Sequence, residues 1–312
     1  MAELSSQKVE NSNDQDLDDD DDEVNSSNKI TPNDHQSIFD CSNSSSISAT
    51  KDDFNVESLI QSDLCTFVHT LIPKNYSQLI QCHLKRHKDG LNKSFSLYFT
   101  GKDPDDEALL LTARKHTTLS GHTEFLIGMN IDTPTKNLNE ENSIAKLRTT
   151  KIFRHEYILY DYDKSSSTNE SNKPQSLAIV YDEHIFESKD PREITVLLHN
   201  TGATIREFQN NETIIDEWRA GRSNSLLEFK NKCPKFNEES KIYTIGFLNN
   251  RVKQPSHKNF QIISSNEQGK EIVILQFGRI DENDFVLDFR YPFTTIDAFA
   301  IALSSFHNRI RK

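Results

Sequence analysis

A chain of 312 residues, 34% of them apolar, can bury a sizeable core as one large or two small domains. The formal net charge of −12 is concentrated in residues 1–53, where fourteen Asp and Glu stand against three Lys, and the 34 acidic and 33 basic side chains that follow nearly cancel. A near-neutral body argues against strong duplex binding but leaves a local anion-binding patch open. Four cysteines, Cys41, Cys65, Cys82 and Cys233, without paired ligand spacing, and an N-terminus without an apolar leader, point to reduced thiols in the cytosol or nucleus.

Met1 to Asp53 is rich in Asn, Ser and Asp, includes the run Asp18 to Glu23, and reads as an acidic disordered tail: a lure for a basic partner, an activation-type segment, or a solubilising leader. Residues 54–75 form a lead-in segment. Val56, Leu59, Ile60, Leu64, Phe67 and Val68 fall at near-helical spacing, which predicts a short helix, docked on the body or binding a partner.

From Gln78 the period changes to two. Leu79 to Leu84, Ser94 to Phe99, Ala108 to Thr112, Phe125 to Met129, Tyr157 to Tyr160, Ser176 to Tyr181 and Glu193 to Leu198 are short apolar or alternating runs between polar breaks. Ile242 to Phe247, Phe260 to Ile263, Glu271 to Phe277 and Phe285 to Tyr291 continue the rhythm, and all read as strands. Asp163 to Gln175 is a polar insertion, and Ile214 to Lys230 holds a helix followed by a strand.

The end of the chain is different. Ala298 to Leu303 reads Ala-Phe-Ala-Ile-Ala-Leu, apolar on every side of a helical turn, so the helix must be enclosed. Thr294 or Thr295 caps its start, Asp297 sits in the first turn, and Arg309, Arg311 and Lys312 are expected in the last, where cations suit the dipole. The apolar run is far short of the roughly 20 residues that cross a bilayer. Many short strands need closure to hide their edges, and the helix needs a container. The expected fold is all-β with a central helix: a closed barrel, residues 76–312, around the C-terminal helix.

The residues Leu275 to Phe306 (LQFGRIDENDFVLDFRYPFTTIDAFAIALSSF) and His257 to Ile262 (HKNFQI) resemble the closing stretch and the KNFQI element of the Tubby family. Weaker likenesses begin at Gln81 (QCHLKRHKDG), Leu110 (LLTARK), Ala145 (AKLRTTKIF), Asp190 (DPREITVLL) and Asn231 (NKCPKFNEE), so the resemblance runs from about Tyr76 to Phe306. It implies a twelve-stranded barrel wound on the C-terminal helix and binding of phosphatidylinositol 4,5-bisphosphate at the plasma membrane, with release towards the nucleus on lipid hydrolysis. The chain departs from the family where His116-Thr117-Thr118-Leu119 replaces further basic residues, where the segment after AKLR lacks a glycine, and at its basic last two residues.

An inositol bisphosphate headgroup is a compact polyanion and needs several cations from neighbouring strands. The resemblance assigns this role to Arg114 and Lys115 of the ARK element and to Lys146 and Arg148 of the KLR element; the bland alternative is a solvated outer face. Lys85, Arg86 and Lys88, beside a turn expected at Asp89-Gly90, are candidates for auxiliary contact with anionic lipid.

No catalytic, metal or cofactor-binding motif stands out. The eleven histidines are scattered, neither HExxH nor H-x-H occurs, His116 and His122 lack a third ligand, and no nucleotide-binding or nucleophile-elbow fingerprint is present. The reading is a non-enzymatic, monomeric phosphoinositide adaptor at the cytoplasmic face of the plasma membrane and in the cytosol, with no metal or cofactor. Its alternatives are a nuclear transcription modulator with an acidic tail and a cargo adaptor for ciliary or vesicle traffic.

Overall fold

The computed structural model describes residues 4–9, 54–89, 92–101, 107–129, 138–150, 155–162, 174–182, 192–199, 212–222, 225–238, 242–266 and 268–306. Among them a closed antiparallel barrel takes its first eight strands as neighbours in chain order: β2 (Ile80–Asp89), β3 (Asn92–Thr100), β4 (Glu107–Thr117), β5 (Thr123–Gly128), β6 (Ala145–Thr149), β7 (Glu156–Asp161), β8 (Gln175–Tyr181) and β9 (Ile194–His199). β10 (Leu226–Asn231) follows β9, and β13 (Phe260–Ser265), β14 (Glu271–Arg279) and β15 (Asp284–Phe289) close the ring back to β2, making twelve strands. The expected architecture holds. Closure leaves no exposed edge on these strands, which is why so many short runs are stable together.

Helix α4 (Thr295–Ser304) runs inside, with every residue buried. Its start is a full capping box: the Thr294 side chain accepts from the Asp297 backbone N–H, and the Asp297 carboxylate accepts from the Thr294 backbone N–H. The helix is shorter than the sequence suggests. It ends at Ser304 with Ser305 as its C-cap, and positions 309, 311 and 312, expected in its last turn, lie outside the described residues. The inward residues of the strands, among them Phe95, Leu97, Ala113, Phe125, Leu147, Tyr157, Ile179, Phe277 and Leu287, form one core cluster with Ala298 to Leu303 and Phe306. At the end of the barrel where α4 finishes, Phe306 meets Phe95, Phe277 and Phe285 with ring centroids 4.8, 5.9 and 5.1 Å away.

The opposite end is stoppered by the lead-in segment. The expected short helix is two, α1 (Val56–Ser62) and α2 (Leu64–His69), because Asp63 ends the first and its carboxylate caps the second by accepting from the Thr66 backbone N–H. Phe54, Val56, Phe67, Val68 and Ile72 join the barrel core, so the apolar stripe of this segment is docked on the body.

Among the described residues, two apolar patches lie on the outside of the barrel. Helix α3 (Ile214–Arg219) places Ile214 and Ile215 on Ile158, Ala178 and Leu197. Strands β11 (Lys235–Asn237) and β12 (Ile242–Leu248) form a small sheet with β1 (Leu4–Val9), whose residues lie inside the stretch read as an acidic tail. Ile245 and Phe247 of β12, with Val252, pack on Val286. Gly278 allows this approach, since a Cβ there would lie 2.5 Å from a Val252 methyl group. Beneath the sheet, Asp288 is ion-paired to Arg251 and accepts from Gln276 Nε2 at 2.7 Å, so buried polar groups find partners where the two layers meet.

Among the described cysteines, Cys82 and Cys233 are free, but Cys65 is disulfide-bonded, contrary to the expectation of reduced thiols. Wide sequence spacing says nothing of the few ångströms that decide a disulfide. Residues 10–53 and the insertion at 163–173 lie outside the described residues. Among the described residues no helix is long and apolar enough to cross a membrane.

Candidate functional site

The strand period sorts the candidate cations. On β4 the inward side chains include Leu111 and Ala113, so Lys115 also points inwards and its neighbour Arg114 outwards. On β6, Ala145 and Leu147 point inwards, and Lys146 and Arg148 share the outer face, where Lys146 is only 2% exposed and Arg148 is half-buried. Between them lies β5. Leu126 is the cross-strand partner of both Arg114 and Lys146, and Glu124 is the partner of both His116 and Arg148. The outer face of these three strands therefore carries two adjacent rows, Arg114-Leu126-Lys146 and His116-Glu124-Arg148.

Three of the four expected headgroup residues are thus brought together. The fourth is not. Lys115 is 8% exposed on the inner face, and its Nζ donates to the carbonyl oxygen of Phe306 at 2.9 Å, just past the C-terminus of α4. Its ammonium sits at the negative end of the helix, bonded to a carbonyl just beyond the C-cap. Lys115 therefore stands apart from the other three expected residues, because along this part of β4 successive side chains alternate between the faces.

Carboxylates already attend the remaining cations. Glu124, almost fully buried, accepts from Arg148 Nε at 3.1 Å and from His116 Nε2 at 3.0 Å. Burial pushes its carboxyl upwards, but the His116 hydrogen bond and the nearby Lys146 and Arg148 outweigh that and hold it below the ordinary value. Lys146 reaches Glu140 at 3.0 Å, on the turn between β5 and β6. Gly128 lets that turn lie close: a Cβ there would meet Leu138 Cδ1 at 2.6 Å. Arg114 makes no side-chain hydrogen bond or ion pair among the described residues. Glu124 belongs to neither the ARK nor the KLR element, and its place in Thr-Glu-Phe-Leu-Ile, one position before an inward Phe125, is the signal in the sequence that it faces outwards.

The auxiliary set does not form one patch. Lys85 pairs with Glu107 at 3.1 Å on the outside, 4.9 Å from the Tyr98 ring centre. Arg86 lies over the Phe285 and Phe306 rings at 5.9 and 5.8 Å and donates to Asn283 Oδ1 at 3.0 Å. Lys88 stands 3.7 Å from Glu282. Among the described residues no group of three or more His, Cys, Asp or Glu is arranged to hold a metal ion.

A closed twelve-stranded barrel threaded by its own C-terminal helix, carrying a basic outer face on adjacent strands, defines the class: a Tubby-type barrel. The sequence model of the Tub family matches residues 70–308. The chain is 33% identical to human Tubby-related protein 1 over 251 residues, which is 77% of this chain and 45% of that protein. It is 32% identical to Tubby protein homolog 1 of Caenorhabditis briggsae over 272 residues, 80% of this chain and 62% of the relative. With Protein king tubby of Drosophila sechellia the identity is 30% over 247 residues, 76% of this chain and 54% of the relative. The chain belongs to the Tub family. It spans about half to three fifths of the length of these relatives, and none of their names denotes an enzyme.

Proposed function

We propose that this protein is a phosphoinositide-dependent membrane adaptor whose outer face on β4, β5 and β6 holds the headgroup of phosphatidylinositol 4,5-bisphosphate. The observation that carries the reading is the convergence of Arg114, Lys146 and Arg148 on one side of three adjacent strands. Two guanidinium groups offer forked donors to phosphate oxygens, and the Lys146 ammonium, only 2% exposed, adds its charge from beneath them. Glu124 and Glu140 occupy Arg148 and Lys146 until the lipid phosphate, with more charge and more acceptor oxygens, competes for them. No bond is made or broken, so binding is reversible and ends when the headgroup is hydrolysed from the membrane. The working location is the cytoplasmic face of the plasma membrane, with the cytosol or nucleus as the site after release.

The test is sedimentation of the full chain with phosphatidylcholine vesicles with and without the bisphosphate. Wild type should co-sediment only with the former. Changing Arg114 and Arg148 together to Gln should weaken binding by two or more decades, at about 1.5–3 kcal/mol per charge-assisted contact, with an unaltered circular dichroism spectrum. Equal sedimentation of the folded variant would remove these residues from the site. Imaging a fluorescent fusion before and after acute depletion of the lipid tests the location.

A further inference from the structure

Among the described residues the exposed large apolar side chains are Leu119 at 110%, Phe236 at 43% and Ile272 at 36%. Leu119 stands at the tip of the β4–β5 hairpin, the strand pair that contributes Arg114, His116 and Glu124 to the cation rows. Its position is fixed by the turn. The Thr118 backbone N–H donates to the His122 carbonyl at 2.9 Å, the Gly121 N–H to the Thr118 carbonyl at 2.8 Å, and the His122 N–H to Thr118 Oγ1 at 3.0 Å. Gly121 supplies the positive φ of 82° that closes the loop. The tip is also tied sideways to β6, because the His122 ring lies 2.9 Å from the Thr149 carbonyl and the Thr123 N–H donates to Thr149 Oγ1 at 3.1 Å. A turn held at so many points presents one fully exposed leucine to the surroundings.

A single exposed leucine is unremarkable by itself. Here its relation to the cations gives it a use. His116, Glu124 and Arg148 form the last outer row before the ladder closes at Thr117 and Thr123, and Leu119 lies two to three residues beyond it. At about 3.3 Å per strand residue, the tip projects about 7 to 10 Å past that row. The polar layer on each side of a bilayer is about 5 to 8 Å thick, from the difference between total and hydrocarbon thickness. With the Arg148 row at the level of the lipid phosphates and the row of Arg114 and Lys146 about 7 Å behind it, the tip therefore reaches the hydrocarbon boundary.

We infer that the β4–β5 hairpin tip is a membrane-inserting point: Leu119 enters the acyl-chain boundary of an anionic bilayer while the cations beneath it hold the headgroups. The inference rests on the phosphoinositide reading above and adds what that reading lacks, an apolar contact that a free headgroup cannot make. Residues flanking the tip fit the same contact. Thr117 and Ser120 are exposed and uncharged, so no carboxylate is carried into the interface beside Leu119. Full transfer of a leucine side chain to hydrocarbon corresponds to about ten- to a hundredfold in partition, and seating at the boundary to about tenfold.

Leu119→Ser separates the two contributions. In the full chain, affinity for phosphatidylcholine vesicles containing phosphatidylinositol 4,5-bisphosphate should fall about tenfold, while affinity for the free headgroup, inositol trisphosphate, measured by calorimetry stays unchanged. Unchanged vesicle affinity would overturn the insertion and leave the headgroup site standing. Parallel loss of both affinities would also overturn it, since Leu119 would then be acting on the headgroup site. Wild type binding neither probe would overturn the headgroup reading and the insertion together. A second variant reads depth directly: Leu119→Trp should show extra fluorescence, above the Trp218 signal of wild type, that is quenched by lipids brominated in the acyl chain. Extra fluorescence that such lipids leave unquenched overturns the proposal.

Discussion

The Nζ of Lys115 donates to the carbonyl oxygen of Phe306 at 2.9 Å, across 191 residues of sequence, tying the wall of the barrel to the end of the helix it encloses. A buried ammonium at the negative end of a helix, bonded to a carbonyl past its last turn, stabilises the fold rather than a ligand.

Lys115→Met, which keeps most of the stem and removes the charge, should therefore destabilise the protein by about 1.5–3 kcal/mol in urea unfolding. The folded variant should bind bisphosphate-containing vesicles as wild type does. A loss of vesicle affinity with full stability would return Lys115 to the headgroup set.

Helix α4 is enclosed at every position from Thr295 to Ser304. An Asp scan over positions 298 to 303 should consequently find no tolerant site, each change costing several kcal/mol against a total stability of roughly 5 to 15. Ala300→Asp is the sharpest member, because alanine would accept exposure on a surface helix. Phe299→Ala should cost about 3 to 5 kcal/mol through the cavity it leaves. One melting temperature near wild type within the Asp scan would refute enclosure.

Burial pushes the Asp297 carboxyl up to about 6 from 3.8, against the hydrogen bonds it accepts from Thr294. The folded state then binds a proton that the unfolded chain releases between these values. The associated stability is fully present below the unfolded value and is lost as pH rises through about 6. The difference in unfolding free energy between wild type and Asp297→Asn should shift in favour of wild type, by up to about 3 kcal/mol, from about pH 7 to about pH 4. An exposed capping aspartate would shift it the other way, so the sign of the change decides.

Glu124 competes with any anion for Arg148. Glu124→Gln keeps the shape and removes the charge, and should raise affinity for bisphosphate-containing vesicles about fivefold or more, since a unit charge near 4 Å is worth roughly 1 kcal/mol in water and more at a buried position. No gain in the folded variant would mean that the headgroup does not approach Arg148.

Much of this was legible in the chain itself. The two-residue period located the strands, Thr294 and Asp297 announced the start of α4, and apolar residues all round Ala298 to Leu303 required a container. The same period carried a signal about the site that the motif likeness obscured: Arg114 and Lys115 are consecutive on a strand and must face opposite ways, whereas Lys146 and Arg148, two apart, must agree. The ARK element therefore supplies one outward cation.

What the sequence could not supply was which residues meet across strands. Register is set by the closure of the whole ring, so only the fold decided that Glu124 lies between His116 and Arg148, that Glu140 returns to Lys146, and that the wall at Lys115 meets the carbonyl of Phe306. Local pattern determines the face a side chain takes, because that depends on the backbone of its own strand. Partners depend on segments far away in the chain, and barrel closure alone brings them within a hydrogen bond of each other.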